Sequence, residues 1–173
     1  MTIEVTDAES IAAAAREVRA AVGPRGLAGL INNAGIGVFG TVETVSIDDL
    51  RRIYEVNVFG HGAAIQAFLP LLRAGGGRVV NIGSIGDRLS LPFGTPLTSS
   101  KSALASITDS LRIELRPWGI HVVLIEPGLD PHRNGGQSRV RCPAHSRRAQ
   151  PPPPRPLRTQ LRGDDVASDG QGA

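Results

Sequence analysis

The sequence predicts an α/β fold, a doubly wound parallel sheet with helices covering both faces. Three short apolar runs suit buried strands, longer segments with helical periodicity separate them, and Gly- or Pro-rich breaks stand at the junctions. Strands that alternate with helices of this length favour right-handed crossovers and parallel pairing. A chain of 173 residues is expected to build one core.

The first predicted helix precedes the first strand. Residues 6–9, Thr-Asp-Ala-Glu, have capping-box spacing, and residues 23–26, Gly-Pro-Arg-Gly, end the helix. Its apolar face carries Ile11, Ala15, Val18 and Val22. Residues 27–31 are then expected to form a buried strand that ends at Asn32-Asn33-Ala34-Gly35.

Two further helix and strand pairs follow. Ser46 caps a predicted helix over 47–72, and the strand over 78–82 ends at Gly83-Ser84. A third helix over 98–115 leads to a strand over 120–125, which ends at Pro127-Gly128. Because ligands of such sheets bind beyond the carboxyl ends of the strands, the three strand ends mark the candidate site.

The composition changes sharply after Gly128. Residues 1–128 hold 11 Lys and Arg against 12 Asp and Glu, whereas residues 129–173 hold eight Arg against four Asp. Residues 131–162 contain seven of the 13 prolines and no acid, so they cannot bury enough apolar area to offset the entropy of ordering. This predicts a domain over 1–128 and an Arg/Pro-rich disordered tail over 129–173. Translation out of frame is an alternative origin for such a composition.

Several function classes are disfavoured by composition. The single cysteine, Cys142, cannot form a disulfide within the chain, and the first residues lack a basic and an apolar region, so no signal peptide is expected. No apolar run approaches the ~20 residues that span a bilayer. The arginines of the tail could contact phosphates, but no aromatic residue there could stack on bases. The expectation is a cytoplasmic protein without membrane or nucleic-acid partners.

Five motifs in register link residues 27–128 to one family. Their order is that of the short-chain dehydrogenase/reductase family. They are the Asn-Asn-Ala-Gly run, Asn57 on a helix, Ser84, Lys101 placed 17 residues after Ser84, and Pro127-Gly128. The chain resembles that family, which implies a Rossmann-like sheet and hydride transfer between a carbonyl and an alcohol with NAD or NADP.

The resemblance also implies residue roles. Asn57, Ser84 and Lys101 correspond to catalytic positions, and a small-molecule carbonyl or alcohol would be the substrate. The helices over 47–72 and 98–115 resemble those of the family's dimer interface. No metal is implied, since His61 and His121 have no metal-like partners in the sequence. The cofactor-binding positions would be Asn32, Asn33, Ala34, Gly35, Lys101, Pro127 and Gly128.

The chain departs from the family pattern at the catalytic tyrosine, at the Gly-rich cofactor turn and after Pro127-Gly128. Leu97 stands where the family has its catalytic tyrosine, four residues before Lys101, and the only tyrosine, Tyr54, is interpreted as a packing residue. Family strands 4, 5 and 6 are expected to be retained, residues 2–5 correspond to the third strand, and strands 1, 2 and 7 with their Gly-rich cofactor turn have no counterpart. One G-x-G-x-x-G exists over residues 35–40, but a helix should follow it directly and none is predicted there.

These departures leave two functions open. The chain is expected to be an oxidoreductase of impaired or absent activity, because leucine cannot exchange a proton. The alternative is a non-catalytic remnant, or a gene-model fragment, that only associates through its helices.

Overall fold

The computed structural model describes residues 2–128. The predicted tail, residues 129–173, lies outside the described residues. The tail and the domain boundary at 128 therefore stay predictions. Three single 3₁₀ turns and a π-helical segment join the main elements. In chain order those elements are α1 (Ala8–Val22), β1 (Leu30–Asn32), α2 (Ile47–Tyr54), α3 (Gly60–Gly75), β2 (Arg78–Ile82), α4 (Thr95–Glu114) and β3 (His121–Ile125).

The predicted parallel α/β architecture is confirmed. The described strands form one parallel sheet in the order β1-β2-β3, with β2 in the centre. Val79 of β2 lies opposite Leu30 on one side and Val122 on the other. Parallel pairing sends all three strands out at the same edge, so the segments that follow them become neighbours.

The first strand is shorter than predicted. It covers Leu30–Asn32 rather than 27–31, because the N–H of Leu27 donates to the Leu71 carbonyl of α3 at 2.9 Å instead of joining the sheet. The chain crosses α3 so closely that a β-carbon on Gly26 would lie 2.2 Å from the Gly75 nitrogen. Glycine at position 26 is therefore required by this crossing as well as by its φ of 67°.

The predicted helix over 47–72 is two helices with a π-helical segment between them, Glu55–Phe59. Ser46 caps its start as predicted, since its Oγ accepts from the N–H of Asp49 at 3.0 Å. Within the segment the N–H of Gly60 donates to the Glu55 carbonyl, five residues back, which widens the turn. Local periodicity does not reveal one extra residue per turn, so the sequence prediction missed it.

Other helix starts also differ from prediction. Asp7, not Thr6, caps α1, because its Oδ1 accepts from the Glu9 N–H at 2.9 Å. Helix α4 begins at Thr95 instead of residue 98, since Pro96 fits the first turn of a helix. Residues 2–5 form no strand. They pack on α3, where a β-carbon on Gly60 would lie 2.7 Å from the Val5 carbonyl.

The core lies on both sides of α3. One buried cluster joins α3 to the sheet and to the end of α4, and a second joins α3 to α1. No helix within residues 2–128 is long and apolar enough to cross a membrane. The buried members are Ile65, Leu72, Val79, Leu115, Ile120 and Val122 in the first cluster, and Ala14, Phe68 and Leu71 in the second.

Candidate active site at the carboxyl edge of the sheet

The turns after β2 and β3 are joined by backbone hydrogen bonds. The N–H of Gly83 donates to the Ile125 carbonyl at 2.8 Å, and the N–H of Ile85 donates to the Pro127 carbonyl at 3.0 Å. Ser84 is therefore held between two bonded residues, next to the Pro127-Gly128 turn. The structure thus brings together two of the motifs that the sequence places 43 residues apart.

Asn57 clamps the loop that follows β1. Its Oδ1 accepts from the Ile36 N–H at 2.9 Å, and its Nδ2 donates to the Ile36 carbonyl at 3.0 Å and to Ser100 Oγ at 3.1 Å. The side chain is fully buried. It lies in the middle of the π-helical segment, which is a frequent feature of functional positions. One amide thereby fixes the Asn-Asn-Ala-Gly loop against α4.

Lys101 is buried beside this clamp. Its Nζ donates to the Ile82 carbonyl at 2.7 Å, at the end of β2. Burial lowers the pKa of the Lys101 ammonium from its ordinary value, and the nearby Asp87 carboxyl partly opposes this. Gly35 packs directly against Asn57 and Lys101, since a β-carbon on Gly35 would lie 3.4 Å from Asn57 Oδ1 and 3.8 Å from Lys101 Nζ. With one acceptor among residues 2–128, the ammonium has two further N–H donors available for another group.

Ser84 and Leu97 complete the set of predicted catalytic positions. Ser84 is half-buried, and its Oγ accepts from the Gly86 N–H at 3.1 Å, which caps the 3₁₀ turn Ile85–Asp87. Leu97 lies in the first turn of α4, one helical turn before Lys101 and therefore on the same helix face. Its side chain is half-buried and carries no ionisable group.

The four residues of the Asn-Asn-Ala-Gly run have different environments. Asn32 is buried in the sheet, where its Nδ2 donates to Asn81 Oδ1 at 2.9 Å. Asn33, Ala34 and Gly35 are exposed. Only the last three can therefore present atoms to a ligand, while the Asn32 side chain is engaged inside the protein.

Sequence reasoning missed several buried polar residues that support this loop. His61 is 1% exposed, and its Nε2 lies 2.7 Å from the Ala34 carbonyl, while its Nδ1 has no partner among the described residues. Burial lowers the pKa of His61, so the neutral ring with Nε2 as donor is favoured. Asn81 Nδ2 donates to Thr108 Oγ1 at 2.9 Å. The signal for Asn81 was its place inside an apolar strand, where an amide needs a partner.

A cleft of about 540 Å³ opens beside the Asn-Asn-Ala-Gly loop. It is large enough for part of a small organic ligand. Glu4 and Val5 both line the cleft. The pKa of the Glu4 carboxyl is lowered, because it accepts hydrogen bonds from the backbone N–H and the hydroxyl of Thr6. The lining residues belong to segments 3–6 and 34–36 and to Arg52, Glu55 and Val56.

The G-x-G-x-x-G over residues 35–40 does not open a helix. These residues form a loop, and the next helix begins at Ile47, where Ser46 already caps the free N–H groups. The arrangement that binds a phosphate at a helix N-terminus is therefore not built here. Within residues 2–128, no group of three or more His, Cys, Asp or Glu side chains could hold a metal ion.

Comparisons with known proteins agree with one another. The sequence model of the family described as short chain dehydrogenase matches residues 1–130. Human "Dehydrogenase/reductase SDR family member 9" is 42% identical over 128 residues, which are 73% of this chain and 40% of that protein. The chain thus spans less than half the length of this relative.

Solved structures are similar as well. A short-chain dehydrogenase from Streptomyces avermitilis superposes with a TM-score of 0.72 at 35% identity, covering 80% of this chain and 51% of the other. An NAD⁺-bound xylitol dehydrogenase gives 0.70 at 28% identity, covering 74% and 49%.

Proposed function

The chain belongs to the short-chain dehydrogenase family, and on that basis we propose that it carries a nicotinamide-dependent oxidoreductase site of weakened activity. The observation that carries this proposal is the buried Lys101, whose ammonium lies between the end of β2 and the loop clamped by Asn57. Because the chain spans about 40% of its human relative, activity on a carbonyl or alcohol is a proposal for this chain.

Each residue has a role in this proposal. Lys101 would hold the ribose hydroxyls of NAD or NADP with its two remaining N–H donors, and Ser84 would hydrogen-bond the substrate oxygen. Asn57 keeps the loop over residues 33–35 in place and, as the family resemblance implies, would position a water that relays protons. The loop over residues 33–35 and the Pro127-Gly128 turn would hold the nicotinamide end of the cofactor. When bound, the cofactor supplies or accepts hydride at C4 of the nicotinamide.

Leu97 is the reason for weakened activity. Reduction of a carbonyl needs a proton on the oxygen as hydride reaches the carbon, and a side chain one turn before Lys101 on α4 is placed to deliver it. Leucine cannot do so. Water would have to serve instead, which costs roughly 10²–10⁴ in rate.

The test restores the missing phenol. Leu97→Tyr should raise the turnover of NADH or NADPH with a panel of small carbonyl compounds by roughly 10²–10⁴ over the natural chain. Leu97→Phe is the matched control, because it adds the ring without the hydroxyl, and it should give no increase. Equal rates for the natural chain and both variants, or an equal gain in both variants, would contradict the role assigned to position 97.

A second candidate function is association without catalysis. It is favoured by two apolar side chains on the helices predicted to form an interface, since Phe59 is 57% exposed and Ile113 is 76% exposed. The proposed partner is a second copy of the chain. Sedimentation should show a dimer that Phe59→Glu or Ile113→Glu converts to a monomer, whereas Val42→Glu, at a residue 71% exposed in the loop before α2, should have no effect. A monomeric natural chain would exclude this candidate.

The predicted cytoplasmic location and the predicted lack of nucleic-acid or membrane partners remain predictions. They depend on composition and on residues 129–173, so no feature of the described domain tests them.

A further inference from the structure

Asp87 is a buried carboxyl group to which no group within residues 2–128 donates a hydrogen bond. Its side chain is 0% exposed, and neither of its oxygens accepts a hydrogen bond from a donor in the described part of the chain. Its own N–H donates to the Ser84 carbonyl at 3.0 Å, so it belongs to the turn that Ser84 caps. An isolated carboxylate in such a place is costly, and proteins avoid it by pairing or protonation.

A second carboxyl, that of Glu126 in the segment after β3, lies against the same guanidinium as Asp87. Arg88 lies against both, with its Nε 2.6 Å from Glu126 Oε1 and 3.5 Å from Asp87 Oδ1. The guanidinium itself is exposed, as its side chain retains 66% of its accessible surface. One solvated cation only partly neutralises two carboxylates that lie against the same guanidinium nitrogen, so protonation of the more buried carboxyl is favoured at mildly acidic pH.

We infer that Asp87 and Glu126 share one proton, and that this carboxyl pair is a pH-sensitive clamp which holds the Ser84 turn against the Pro127-Gly128 turn. The clamp lies directly beside the two backbone bonds that already join these turns, from Gly83 and Ile85. The proton resides on Asp87, the more buried partner, while Glu126 stays ionised and accepts from both Asp87 and Arg88. The sharing of the proton does not depend on the proposed oxidoreductase function. Only its consequence for a substrate bound at Ser84 rests on that proposed function.

The electrostatic surroundings agree with this assignment. Burial, then the contact with Glu126, raises the pKa of Asp87 to about 6, and the Arg88 charge only partly opposes the rise. Although burial opposes the change, the pKa of Glu126 is lowered, chiefly by the hydrogen bond from Arg88. The other charged groups that act on the pair lie on α4, where Lys101 interacts with Asp87, and Asp109 interacts with Arg88 and Glu126.

The sign of the pH dependence follows from the raised pKa. Between the ordinary value of 3.8 and about 6, the native state keeps a proton that the unfolded chain has released. The free energy of unfolding therefore falls as the pH rises through this window, and the clamp is open above it.

The test is a ¹³C NMR titration of the side-chain carboxyl carbons in the full chain, with Asp87 assigned by the loss of its signal in Asp87→Asn. A midpoint near 6 is expected. Hydrogen exchange of the Gly83 and Ile85 amides, corrected for base catalysis, should lose protection between pH 5 and 7.5 in the natural chain. The protection of these two amides should be independent of pH in Asp87→Asn, whose side-chain amide can still donate to Glu126.

Asp48→Asn is the control, because Asp48 is an exposed acid in the first turn of α2 whose side chain is 89% accessible, and it should leave the titration of Asp87 near 6. A midpoint for Asp87 below 4.5, or a loss of protection that persists in Asp87→Asn, would overturn the inference. If Asp87→Asn does not fold, assignment by backbone correlation in the natural chain gives the same decisive midpoint.

Discussion

Replacing Asn57 by leucine should destabilise the protein, because the amide makes three hydrogen bonds from a fully buried position. Two go to the backbone of Ile36 and one to Ser100 Oγ, at 2.9, 3.0 and 3.1 Å. Leucine has a similar volume, so the substitution opens no large cavity. Each lost bond contributes about 0.5–1.5 kcal/mol net, which gives a total loss of roughly 2–4 kcal/mol.

The assay is urea unfolding followed by the fluorescence of Trp118, the single tryptophan, which stacks on the Arg73 guanidinium at 4.0 Å from the ring centre. Asn33→Leu is the matched control, since Asn33 is exposed in the same loop. It should change the unfolding free energy by less than about 0.5 kcal/mol. Hydrogen exchange at the Ile36 amide should accelerate in Asn57→Leu alone. If both leucine variants unfold at the same urea concentration, the clamp on Ile36 does not contribute to stability as argued.

Two further predictions concern α4. Lys101 is the only lysine, so reductive methylation with ¹³C-formaldehyde gives one side-chain NMR signal. Its pKa should lie below the ordinary lysine pKa of 10.5, because the ammonium is buried. A midpoint at or above 10.5 would contradict that burial. Leu104 is fully buried, so Leu104→Ala should lower the unfolding free energy measured by urea titration by about 2–5 kcal/mol. Leu89 is 52% exposed, so Leu89→Ala should lower it far less. Equal losses in the two variants would place Leu104 outside the core.

The sequence predicted the sheet because its signals are local. The strand over 78–82 matches β2 residue for residue, since an apolar run bounded by glycines on both sides allows one interpretation. The strand over 27–31 was misplaced, because Leu27 bonds to α3 instead of the sheet, and a contact between segments 44 residues apart leaves no local trace. The π-helical segment was missed for a similar reason: helical periodicity survives one widened turn.

The candidate site was predicted in part. Motif order alone brought Asn57, Ser84 and Lys101 into one hypothesis, and the fold places them at one edge of the sheet. The supporting residues were not predictable in the same way. His61 could have been an exposed side chain, and Asp87 is an ordinary turn residue by sequence. Their burial depends on tertiary packing, so only the structure reveals that His61 supports the Ala34 carbonyl and that Asp87 and Glu126 lie against Arg88.

Titration of the natural chain with NADH and with NADPH, followed by cofactor fluorescence, tests the proposed cofactor site most directly. We expect saturable binding of one of them, weakened roughly 10–100-fold in Lys101→Met, because hydrogen bonds from a charged donor contribute about 1.5–3 kcal/mol. Arg19→Met, an exposed cation in the last turn of α1, should bind like the natural chain. Absence of saturable binding at millimolar concentrations of both cofactors, or equal binding by Lys101→Met, would contradict the proposal that Lys101 is the centre of a nicotinamide site.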